Sequence, residues 1–117
     1  MTTLREWFDK FTERTGEVPT HVVFGGDSWY LSDEDDAVMR RFAMEPSLRD
    51  QVQRFAKISA ETLDKEFNDG YGGNNSPNLC AWSPSWVIFN DNYDGAEGIQ
   101  WVPRKPIAHR PVRPGGG

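Results

Sequence analysis

At 117 residues, with 37% hydrophobic residues and a formal charge of −5, the chain has the size of one domain with a modest core. No stretch approaches the roughly 20 apolar residues that span a bilayer, and Met1–Phe11 lacks the basic start and apolar run of a signal peptide, so a soluble cytoplasmic protein without membrane contact is expected. Its one cysteine, Cys80, excludes an internal disulfide and a multi-cysteine zinc site.

Thr3-Leu4-Arg5-Glu6 is a capping-box pattern. Leu4, Trp7, Phe8 and Phe11 follow at helical spacing up to Gly16, which predicts a first helix over about residues 3–15. Residues 20–24 and 28–31 flank Gly25-Gly26-Asp27 and predict a β-hairpin. Ser32 caps a second helix, with Asp33, Glu34, Asp35 and Asp36 where the helix dipole favours negative charge. Pro46 opens a predicted third helix striped by Leu48, Val52, Phe55, Ser59, Leu63 and Phe67. Residues 69–78 hold three glycines and Pro77 and read as a loop. A second hairpin is predicted with strands near 86–89 and 99–102. The fold class is therefore α+β: about three helices packed on a small antiparallel sheet built from two β-hairpins. The globular domain is expected over residues 1–102, and 103–117, with four prolines and a triple glycine, as a basic tail.

Charge divides along the same boundary. All eighteen acidic residues and nine of the thirteen basic ones precede Val102, a balance of −9, while Arg104, Lys105, Arg110 and Arg113 give the tail +4. An acidic body disfavours nucleic-acid binding, which draws most of its affinity from phosphate contacts. Binding of nucleic acid through the basic tail stays as a minor alternative.

Three of the five tryptophans fall between Cys80 and Val102. Such a cluster either anchors a core or faces a partner, because Trp, Tyr and Arg dominate interface energies. The candidate binding residues are Trp82, Tyr93 and Trp101, with Arg104 and Lys105 at the rim. Asn90–Glu97 resembles a calcium loop for its first six positions, but Trp101 stands where the bidentate acid of an EF-hand belongs. A small cation-dependent binder or enzyme using Asp91, Asp94 and Glu97 remains an alternative. Val23-Phe24-Gly25-Gly26-Asp27-Ser28 resembles the first block of the GDS-type hydrolases. Pro106 replaces the Asp that precedes that family's catalytic His by three residues, and a turn explains the glycines without chemistry. No cofactor, metal or catalytic residue is expected.

Tyr93-Asp94-Gly95-Ala96-Glu97 and Val102-Pro103-Arg104-Lys105-Pro106, followed by a basic proline tail, resemble small early-region proteins of actinobacteriophages. That resemblance implies an infected bacterial cytoplasm and a non-catalytic module that binds and redirects a host protein.

Overall fold

The computed structural model describes residues 1–25, 31–44, 53–67, 70, 77–93 and 96–106, four of them (Phe42, Ala43, Asn92 and Tyr93) by backbone alone. The fold is α+β, with three helices and one five-stranded antiparallel sheet among the described residues.

Helix α1, Leu4–Thr15, forms where the sequence predicts it. The Thr3 hydroxyl accepts from the Glu6 amide at 3.2 Å. The capping box is altered, however: the Glu6 carboxylate accepts from the Thr2 hydroxyl, at 2.7 Å, instead of reaching back to a backbone amide. Gly16 ends the helix at φ 76°, a left-handed conformation that only glycine adopts without strain, and its amide closes on the Thr12 carbonyl. Leu4, Trp7, Phe8 and Phe11 are buried on one face.

Strand β1 is His21–Gly25 and helix α2 is Asp33–Met44, capped by the Ser32 hydroxyl, which accepts from the Asp35 amide. The next segment departs from expectation. In place of a long third helix it holds strand β2 (Gln53–Arg54), a 3₁₀ turn over Phe55–Lys57 and a four-residue helix α3 (Ala60–Leu63). Leu48 and Val52 lie outside the described residues; of the rest of the stripe, Leu63 and Phe67 are buried and Phe55 packs edge-on against Phe8. Sheet pairing overrides its helical period: Arg54 and Ile58 are extended, Gln53 and Arg54 pair with β1, and Ser59 caps a new helix by accepting from the Thr62 amide.

Strands β3 (Asn78–Trp82), β4 (Trp86–Tyr93) and β5 (Ala96–Pro103) complete the sheet in the order β2-β1-β3-β4-β5. The β4–β5 hairpin appears as predicted but is longer, with eight paired positions from Trp86↔Pro103 to Tyr93↔Ala96. Of the first predicted hairpin, the first strand appears as β1, which lies between β2 and β3, while Gly26–Tyr30 fall outside the described residues. The predicted boundary at residue 102 sits inside the sheet, because Pro103 still pairs and the Arg104 amide donates to the Ser85 carbonyl. Residues 107–117 also lie outside the described set.

Strand alternation sends Val22, Phe24, Leu79, Ala81 and Ile88 to one face, where they meet the α1 residues in a single core with Ile58, Leu63 and Phe67. Two edge-on ring pairs fix α1 in place: Trp7 on Phe67 and Phe11 on Trp101, with centroids 5.0 and 5.2 Å apart.

Candidate binding surface

Among the described residues the helices pack on one side of the sheet and leave its other face without a helical cover. Alternation puts the odd-numbered residues of β1, β4 and the even-numbered residues of β3 and β5 on that second face. Register then aligns Arg54, His21, Trp82, Val87 and Val102 in one row across all five strands. Val23, Cys80, Phe89 and Gln100 form the row beside it. Every one of these side chains is half-buried or exposed, with Phe89 at 37% and Val102 at 41%. The open face is thus apolar at its centre, with Trp82 and Phe89 diagonal to each other on neighbouring strands.

The expected site residues divide between the two faces. Trp82 stands on the open face between His21 and Val87. Trp101 is on the helical side, opposite Ile88, and packs on Phe11. Arg104 follows β5 at the Trp82 end, where its guanidinium donates to the Ser83 carbonyl at 3.2 Å, and Lys105 beside it is exposed. The side chain of Tyr93 lies outside the described residues. The turn that carries this end is clamped from below: the Glu17 carboxylate accepts from the Ser83 hydroxyl at 2.6 Å and from the Ser85 amide at 2.9 Å. Those donors, Ser83 first, hold the Glu17 carboxyl below its ordinary range.

Asp91 and Glu97, two residues of the alternative loop site, are not brought together. Asp91 pairs with Gly98, and Glu97 pairs with Asn92 one position along, so alternation sets the two carboxylates on opposite faces of the hairpin. Asp94 is outside the described residues, and among those described no three His, Cys, Asp or Glu side chains are grouped to hold a metal ion. Cys80 is half-buried on the open face, and partial burial pushes its thiol up, away from reactivity.

The densest polar cluster lies elsewhere. Asp35 is fully buried, and its carboxylate accepts from Thr62 Oγ1 at 2.6 Å, Ser59 Oγ at 2.9 Å, Gln53 Nε2 at 3.0 Å and the Ser59 amide at 3.2 Å. Burial pushes this carboxyl up, but the donors from Thr62, Gln53 and Ser59 together outweigh it and hold it below its ordinary range. Enclosed and saturated with donors, Asp35 ties α2 to β2 and α3 and is unsuited to chemistry on a substrate.

The sequence did not reveal Val87, Phe89 and Val102 as surface residues. The signal was present in Trp86-Val87-Ile88-Phe89, a strand apolar on both faces, which a single helical layer can cover on one side only. No helix among the described residues is long and apolar enough to cross a membrane. Comparison with protein-family models, with curated proteins and with solved structures gives no match.

Proposed function

We propose that this chain is a non-catalytic protein-binding module whose contact surface is the open face of the sheet. The observation that carries this reading is the row through Trp82, Val87 and Val102 with Phe89 beside it, an apolar patch left without a helical cover among the described residues. An aromatic anchor within aliphatic neighbours is the usual make-up of an interface centre. The two ends of the row are cationic, with Arg54 at one and Arg104 and Lys105 at the other, while Asp91 stands on the same face beyond Phe89. The partner is accordingly a protein surface with an apolar centre and carboxylates at its edge. The resemblance to actinobacteriophage early-region proteins supports a host bacterial protein as that partner and the host cytoplasm as the setting.

Affinity capture from the host cytoplasm tests this reading. Trp82→Ala abolishes capture while the melting temperature stays near that of the parent. Arg104→Ala weakens capture in a salt-dependent way, as rim charges do. Capture at the parent level by Trp82→Ala removes the open face as the contact surface.

A further inference from the structure

Among the described residues the sheet ends in β2, described over Gln53–Arg54, on one side and in β5 on the other. Strand β5 has eight residues paired with β4 at every position without a bulge, and among the described residues it has a strand neighbour on one side only. Among the described residues this edge has no bulge, no shortening, no lysine and no internal proline, and its one charge, Glu97, stands near the start of the strand on the helical face.

We infer that β5 is a self-pairing edge, joining a second copy of this chain by antiparallel β5–β5 pairing into one ten-stranded sheet. The second copy is the occupant whose complementarity can be judged, because both strands have the same known sequence. Residues opposed across an antiparallel pair must share a face, so the two-fold axis passes through a residue and not between two. The longest overlap within Ala96–Pro103 places it at Ile99 or Gln100. An axis at Ile99 opposes the Glu97 carboxylate to the Trp101 ring of the second copy. An axis at Gln100 opposes Glu97 to Pro103, Ile99 to Trp101 and Gly98 to Val102, so apolar residues meet on both faces. Nothing lies within 4 Å of a Cβ built on Gly98, which leaves room for that neighbour. Ile99 and Trp101 are only partly buried at the margin of the core, and this pairing covers them.

The expected dimer is weak. Seven paired positions make a strip about 24 Å long and about 10 Å thick. Both copies together then bury about 500 Å², well under the roughly 1,200–2,000 Å² of a stable complex. Sedimentation velocity from micromolar to millimolar protein should follow a monomer–dimer equilibrium. Gln100→Lys and Gln100→Glu each place like charges face to face at the axis and hold the protein monomeric throughout, whereas their mixture pairs again. Amide exchange on the parent protein needs no variant: β5 amides slow with rising concentration and α2 amides do not. A parent that stays monomeric at millimolar concentration overturns the inference, as does a dimer that survives both single substitutions or β5 exchange that ignores concentration. The inference is independent of the open-face reading, since Trp82→Ala leaves self-pairing intact.

Discussion

Removing the buried carboxylate of Asp35 should unfold a large part of the domain's stability, and the choice of substitute decides how much. Asp35→Ala deletes the acceptor of four donors, supplied by Thr62, Gln53 and Ser59. The Thr62 and Ser59 hydroxyls can turn to each other, 3.3 Å apart, or to Ser32, but the Ser59 amide and the Gln53 side-chain amide have no such freedom. Leaving a buried donor unpaired costs about 1–3 kcal/mol, so Asp35→Ala should cost about 3–5 kcal/mol in all. Asp35→Asn behaves differently. Its carbonyl can keep the Ser59 and Thr62 donors while its new NH₂ faces Gln53. The Gln53 amide needs only to rotate and present Oε1, which is buried without a partner in the parent. That exchange should hold the loss to about 1 kcal/mol. Because the carboxyl titrates below its ordinary range, its stabilisation is complete above the unfolded pKa and is lost as pH falls below about 4. Asp35→Asn should flatten that acid limb. Urea denaturation at neutral pH and along an acid series measures both. Asp35→Ala within 1 kcal/mol of the parent, or an Asn variant as unstable as the Ala one, would refute the donor accounting.

Phe11 is fully buried and edge-on to Trp101, so Phe11→Ala should lower stability by about 3–5 kcal/mol, while half-buried Phe55→Ala loses about half as much; denaturation midpoints at constant m-value check the order. Trp101→Ala should depress the melting temperature far more than Trp82→Ala, because only the first opens a gap against α1. A chain ending after Pro106 should keep its thermal transition, since β5 and the Arg104 contacts to Ser83 and Ser85 are retained, whereas ending after Val102 removes the Pro103 pairing and should lower it.

What could be read from the sequence follows from where one local signal acts alone. Helix α1 was legible because cap, period and glycine stop agree. The β4–β5 strands were legible because β-branched and aromatic runs flank Asp94-Gly95. The segment around Phe55 was not, because its helical stripe competes with pairing to β1, a contact about thirty residues away in sequence that no window contains. Strand β3 was hidden for a similar reason: Asn78–Trp82 is short, and its two neighbours, β1 and β4, lie on different sides of the chain order. The candidate site suffered most from this. Trp82 and Trp101 look alike in sequence, and only the register that opposes Trp82 to Val87 and Trp101 to Ile88 sends them to different faces.

The central claim is that the open sheet face meets the partner, and side-chain footprinting by hydroxyl radicals reads that face directly. The protein is oxidised alone and in complex with the captured partner, and the labelled residues are compared. Trp82 and Phe89 should lose reactivity in the complex, while exposed Met44 on α2 and Trp101 under α1 keep theirs. Unchanged labelling of Trp82 and Phe89, with protection at Met44 instead, would contradict the account and move the contact to the helical side.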